Sequence, residues 1–306
     1  MDSSVILCGR TLRNPVLAAS GTFGYGIEFE KIVPLDRLGG IIVKGLSREP
    51  MAGNPAPRLY ETACGMLNSV GLQNIGVRAF VEQKLPALSS LSTPVFANVF
   101  GHQVEDYAEV IRILEDAPGL AGYELNVSCP NTSRGGIHFA VDAQALAEVV
   151  SAARRAARRR PLMVKLSPNV GDIRVFARAA EQAGADALSL VNTFVGLAID
   201  ARRRRPHLGA GVGGLSGPAI KPIALRMVYQ AARAVRIPVV GLGGITTGED
   251  VAEFLLAGAA AVQVGSATFW DPQAPVRIAE EFDQFLREQR IKAARDLIGG
   301  LRIENG

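Results

Sequence analysis

Short apolar runs alternate along this chain with stretches whose apolar positions recur every three or four residues. The runs are Val16–Ala18, Gly40–Val43, Pro94–Val99, Gly122–Val127, Leu162–Leu166, Ala187–Val191, Val239–Leu242 and Ala261–Val264, eight candidate strands. Between them, Tyr107, Val110, Ile111 and Leu114 share helical spacing, as do Leu146, Val149, Val150 and Ala153. Ile173, Phe176, Ala177 and Ala180 repeat the pattern, and so do Val251, Phe254 and Leu255. Asp142 and Asp172 stand where helix N-caps belong. Strands alternating with helices predict an α/β fold with a parallel sheet, here a (β/α)8 TIM barrel. An open doubly wound sheet is the rival, but no GxGxxG opens the first strand–helix turn. Val5–Leu12 reads as an N-terminal β-hairpin closing the barrel bottom, with Gly9-Arg10 at its turn.

Two connections are too long for plain helices, Gly45 to Leu72 and Asn192 to Pro218. Long insertions at the top face of a barrel usually carry function. No linker, internal repeat or low-complexity tract divides the chain, so residues 1–306 read as a single domain. The 48% apolar content fits a large core rather than disorder. No apolar run approaches the roughly 18 residues of a membrane span. Met1-Asp2-Ser3-Ser4 lacks the basic-then-apolar pattern of a signal peptide. The expectation is a cytoplasmic protein.

The three cysteines, Cys8, Cys64 and Cys129, form neither a disulfide framework nor a CxxC pair, and they cannot ligate an iron–sulfur cluster. No metal site is expected. The net charge of +4 owes most to two arginine runs, Arg154 to Arg160 and Arg202 to Arg205. The first reads as a solvated helix end and the second as a solvated loop. No aromatic or motif support for nucleic-acid binding accompanies them.

The strand ends carry the chemistry. They stop at Ser20-Gly21, Lys44-Gly45, Asn98, Asn126, Lys165, Asn192-Thr193, Gly243-Gly244 and Gly265-Ser266. In a barrel these ends share one face. Any single Asn or Lys there is ordinarily a turn or a solvated tip; eight together point to a site. The glycines after strands seven and eight suit phosphate, through backbone N–H groups, although glycine also serves plain tight turns. Lys165 ends an apolar strand and must reach the mouth or be paired. It suits either stabilisation of developing negative charge or a Schiff base. Amides such as Asn68, Asn126, Asn192 and Asn131 donate and accept in one plane and match a pyrimidinedione edge. Lys44 suits a substrate carboxylate. Cys129 reads as a general base, a nucleophile lacking a nearby histidine, or an inert buried thiol. Pro130 to Gly136, which follows it, reads as a candidate lid.

These motifs resemble class 1 dihydroorotate dehydrogenases across nearly the whole chain. The matching segments are Val43 to Gly45, Gly65 to Asn74, Asn126 to Asn131, Val164 to Pro168, Asn192-Thr193, Gly214 to Pro218, Gly241 to Ile245 and Val264 to Ser266. Thr193 to Gly196, Ile199-Asp200 and Gly214 to Tyr229 resemble the catalytic FMN subunit of the NAD-linked subtype (1B) rather than the fumarate-linked one. Class 2 members carry serine as the base and a membrane helix, unlike this chain. Phe139-Ala140 departs from the family's Phe-Gly, which bears only on the lid.

The resemblance implies oxidation of dihydroorotate to orotate in pyrimidine (UMP) biosynthesis. It implies FMN held by Ser20, Lys44, Gly45, Asn98, Asn126, Lys165, Val191, Gly217, Gly243, Gly244, Gly265 and Ser266. It implies substrate held by Lys44, Asn68, Ser69, Val70, Gly71, Leu72, Asn126, Asn192 and Thr193. Cys129 is implied as the base at C5, with Lys165 assisting and the C6 hydride passing to FMN. A partner subunit carrying FAD and a [2Fe–2S] cluster, relaying electrons to NAD, and an α2β2 heterotetramer are further implications. The rivals are a flavoprotein like dihydropyrimidine dehydrogenase or tRNA-dihydrouridine synthase, and a flavin-free phosphate-binding barrel.

Overall fold

The computed structural model describes residues 1–127 and 136–303. Among these, eight parallel strands close a barrel. They are β1 Val16–Ala18, β2 Gly40–Ile42, β3 Val95–Val99, β4 Gly122–Asn126, β5 Leu162–Lys165, β6 Ala187–Leu190, β7 Val239–Leu242 and β8 Ala261–Val264. Each pairs with its sequence neighbour, and β8 closes on β1 through Val262 opposite Val16. β2, β4, β5 and β6 stop one residue short of the expected ends, where the chain turns into the mouth.

The helices cover the barrel with the stripes that the sequence predicts. α1 is Val77–Gln83, α2 Val104–Glu115, α3 Ala143–Ala156, α4 Ile173–Gln182, α5 Lys221–Ala232, α6 Gly248–Leu256 and α7 Ala274–Glu288. Tyr107, Val110, Ile111 and Leu114 of α2 are fully buried, as are Leu146, Val149, Val150 and Ala153 of α3. Asp142 caps α3 by accepting from the N–H groups of Gln144 and Ala145, and Asp172 caps α4 through Arg174 N–H. None of the described helices is long and apolar enough to cross a membrane.

Two local expectations change. The N-terminal hairpin pairs Val5–Leu7 with Arg10–Leu12, and its turn is Cys8-Gly9, not Gly9-Arg10. Both turn residues have positive φ, 50° and 75°, which a two-residue turn matched to strand twist requires. The first arginine run is only partly solvated. Arg160 is largely buried and donates to the carbonyls of Leu114, Glu115, Ala117 and Leu120. It satisfies the orphan acceptors at the end of α2, where a cation also suits the helix dipole. The Arg202 to Arg205 run is exposed, as expected. Asp200 Oδ1 takes the N–H groups of Arg202 and Arg203 at 3.0 Å and tightens the turn.

The two long insertions are one structure. Leu59–Thr62 and Gly65–Asn68 from the first pair with Gly213–Ser216 and Phe194–Gly196 from the second. This four-stranded antiparallel sheet stands over the strand tops and forms one wall of the mouth.

Candidate active site

The polar strand ends converge on one cavity. Ser20, Lys44, Gly45, Asn98, Asn126, Lys165, Val191, Gly217, Gly243, Gly244, Gly265 and Ser266 all line it. Asn68, Val70, Gly71, Leu72, Asn192 and Thr193 line it as well. Register explains part of this, because Asn126 lies directly opposite Lys165 and Asn98 opposite Glu124. Among the described candidates, Ser69 is not part of the lining. It is 1% exposed, its N–H bonds Arg58 O at 2.8 Å, and its carbonyl accepts from Asn54 Nδ2 at 2.8 Å. It therefore ties the insertion together behind the wall. Cys129 and Asn131 lie outside the described residues.

The amides are pre-set. Asn192 Nδ2 donates to Asn126 Oδ1 at 3.1 Å, and Asn192 Oδ1 accepts from Thr193 N–H at 2.8 Å. Asn68 Nδ2 donates to Gly214 O at 3.2 Å, across the joined insertions. Tyr107 Oη, reaching up from α2, donates to Asn126 O at 3.1 Å. Fixed amides of this kind present defined acceptors and donors to a planar heterocycle.

Two lysines supply charge. Lys165 is 6% exposed, and its Nζ lies 3.8 Å from Glu124 Oε1. Lys44 is lowered below its ordinary 10.5, first by burial and then by the nearby positive charge of Arg58. A half-buried ammonium beside another cation suits an anion.

The far corner suits phosphate. Gly243 and Gly244 take positive φ, 130° and 78°, and a Cβ on Gly243 would meet Ala224 Cβ at 2.8 Å. Gly265 differs: a Cβ there finds no described atom closer than 3.6 Å, so what glycine preserves is room in the cavity. Behind this corner, Asp250 accepts from Lys221 Nζ at 2.5 Å and from the N–H groups of Thr246 and Thr247 at 2.7 and 2.9 Å. Burial alone would raise the Asp250 carboxyl. The hydrogen bonds from Lys221, Thr246 and Thr247 outweigh burial and hold it below 3.8. A depressed carboxyl stabilises the fold above its unfolded value and loses that contribution as pH falls through its folded one. Asp250→Ala is accordingly expected to cost about 2–3 kcal/mol at neutral pH. In urea titrations the gap between variant and parent should shrink as the pH is lowered past about 3.8 and onward through the folded value. A gap constant with pH would contradict this role.

Sequence reasoning passed over Gln263 and Glu124. Both are polar residues within apolar strands, the same signal that singled out Lys165. The cavity wall also includes Thr22, Ile220, Ile245 and Phe269, which carry no such signal.

Fold and site together define a barrel whose mouth holds a glycine-rich corner, a row of amides and two lysines, Lys165 buried and Lys44 half-buried. The family model described as dihydroorotate dehydrogenase matches residues 3–286. A protein of Solibacter usitatus, whose name carries the A (fumarate) type of dihydroorotate dehydrogenase, is 70% identical over 97% of both chains. The dihydroorotate dehydrogenase B (NAD(+)) catalytic subunit of Geobacter sulfurreducens is 56% identical over 99% of both. The fold matches that of the Eimeria tenella DHODH–ferulenol complex, with a TM-score of 0.83 at 22% identity, over 98% of this chain and 88% of that one. The chain belongs to the dihydroorotate dehydrogenase family and is an oxidoreductase.

Proposed function

We propose that this chain oxidises dihydroorotate to orotate in the cytoplasm, with FMN bound at the barrel mouth. One observation carries the reading: Lys44, Asn68, Asn126, Asn192 and Thr193 share a single cavity with the glycine corner of Gly243, Gly244, Gly265 and Ser266. The residues present fit FMN. The glycine corner suits its phosphate, the space kept open at Gly265 admits it, and Lys165 suits the pyrimidine end of its ring. When bound, FMN supplies the hydride acceptor.

The chain's own residues do the rest. Lys44 takes the substrate carboxylate, and the fixed amides of Asn68, Asn126 and Asn192 read the ring edge. Cys129 removes the C5 proton. Lys165 holds positive charge where negative charge develops. Lys165→Ala is expected to slow flavin reduction by roughly 10²-fold and to weaken FMN binding. Unchanged values in stopped-flow and fluorescence titration would remove it from the mechanism.

The electron acceptor in this reading is NAD, reached through a partner subunit that carries FAD and a [2Fe–2S] cluster. The 1B-like segments Thr193 to Gly196 and Gly214 to Tyr229 support it, as do the B-type names of the Geobacter relatives. The A-type name of the Solibacter relative points the other way. The isolated chain is expected to turn over neither NAD nor fumarate with dihydroorotate, and to reduce NAD once its partner is added. Fumarate reduction by the isolated chain would overturn the subtype and leave the dihydroorotate reading intact.

A further inference from the structure

We infer that Glu124 is a positioning residue that fixes Lys165 at the cavity floor and moderates its charge. This rests on the FMN reading and goes beyond it. Glu124 is 0% exposed, inside a barrel whose interior is otherwise the place for branched apolar side chains. It gathers groups from four other strands. Oε1 accepts from Asn98 Nδ2 of β3 at 2.7 Å and faces Lys165 Nζ of β5 at 3.8 Å. Oε2 accepts from Gln263 Nε2 of β8 at 2.6 Å and Ser189 Oγ of β6 at 2.8 Å. Three of these four partners, Asn98, Lys165 and Gln263, line the cavity; Ser189 does not.

The arrangement is costly as plain structure. Because both amides turn their NH2 groups to Glu124, Asn98 Oδ1 and Gln263 Oε1 are left buried with no partner among the described residues. Each such oxygen gives up its hydration with nothing in return, and well-packed apolar residues commonly replace a buried ion pair without loss of stability. An acceptor-only carboxylate explains the amide orientation, since rotating either amide would set oxygen against oxygen. What the cluster provides in return is a fixed negative charge directly beneath the lysine that serves the ligand. Two opposite charges at 3.8 Å largely cancel at a distance, so the cavity feels Lys165 only in part.

The consequence is electrical. Glu124→Gln keeps the side-chain shape and removes the negative charge. Bound FMN should then be easier to reduce, by at least tenfold in the reduced-to-oxidised ratio at a fixed solution potential. Ser189→Ala withdraws one donor from the carboxylate without touching the cavity lining. It leaves the charge less offset and should move the same ratio the opposite way. The ratio is read from the flavin absorbance of the holoprotein, equilibrated with a reference dye. Should Glu124→Gln fail to accumulate as folded protein, the sign of the Ser189→Ala shift decides. Ratios equal to the parent's in the folded variants, or shifts opposite in sign, would overturn the inference. Failure of the functional reading looks different: the parent protein itself would then bind no FMN, before any variant is made.

Discussion

Replacing Cys129 with serine is expected to slow flavin reduction by dihydroorotate by roughly 10²- to 10⁴-fold, the usual worth of a general base. A thiol with an ordinary pKa of about 8.5 is partly ionised near neutrality, whereas a serine hydroxyl needs far more alkaline conditions. Part of the loss should therefore return at high pH. The other two thiols are unsuited to the task. Cys8 sits in the turn at the barrel bottom, where burial, with Asp186 nearby, pushes its thiol up to about 12. Cys64 is exposed, and neither lines the cavity. Cys129 follows three residues after Asn126, which Tyr107 anchors at the mouth. On the far side of that segment, Phe139 packs edge-on against the same Tyr107, with ring centroids 6.2 Å apart. One tyrosine thus touches both described flanks of the segment that includes Cys129. Stopped-flow reduction of the serine variant at the parental rate would remove Cys129 from the mechanism.

Lys44→Met is expected to have opposite effects on stability and on binding. In the ligand-free chain, burial and Arg58 disfavour the Lys44 ammonium, and no described carboxylate pairs with it. Between its lowered folded pKa and 10.5, the unfolded chain binds more protons than the folded one. The Lys44 contribution to stability therefore rises with pH through that window, and at lower pH the charged lysine is a standing cost. The apolar isostere removes the cost, so the ligand-free variant should be more stable by about 1 kcal/mol or more. Under the proposed assignment, the same change deletes a charge-assisted contact to the substrate carboxylate, worth about 1.5–3 kcal/mol, and should raise the KM for dihydroorotate by roughly 10- to 100-fold. Thermal unfolding of the ligand-free variant and steady-state kinetics read the two effects separately. A variant less stable than its parent, or one with an unchanged KM, would contradict the assignment.

The fold was legible because a buried parallel strand is written as a compact apolar run. β1, β7 and β8 fall on the expected residues, and the helical stripes at Tyr107–Leu114 and Leu146–Ala153 are buried as their spacing requires. The strand ends were legible for the same reason, since a lysine or asparagine closing an apolar run has few places to go but the mouth. What escaped was long-range. The pairing of Leu67 with Leu215 joins two insertions far apart in sequence, and no local pattern encodes such a partner. Arg160 read as solvated because a charge run usually is; its burial depends on carbonyls of a helix more than forty residues away. Ser69 stands between Asn68 and Val70, which line the cavity, and only the backbone's path turns it behind the wall. Glu124 is less legible than Lys165 because it stands inside its strand, and the groups that justify it come from four other strands.

The most direct test of the account is the colour of the purified chain and its response to substrate. The protein is expected to carry FMN, to absorb near 450 nm (about the usual position for a bound flavin), and to bleach when dihydroorotate is added without oxygen. A colourless protein that takes up no FMN, or a yellow one that dihydroorotate leaves unbleached, would contradict it.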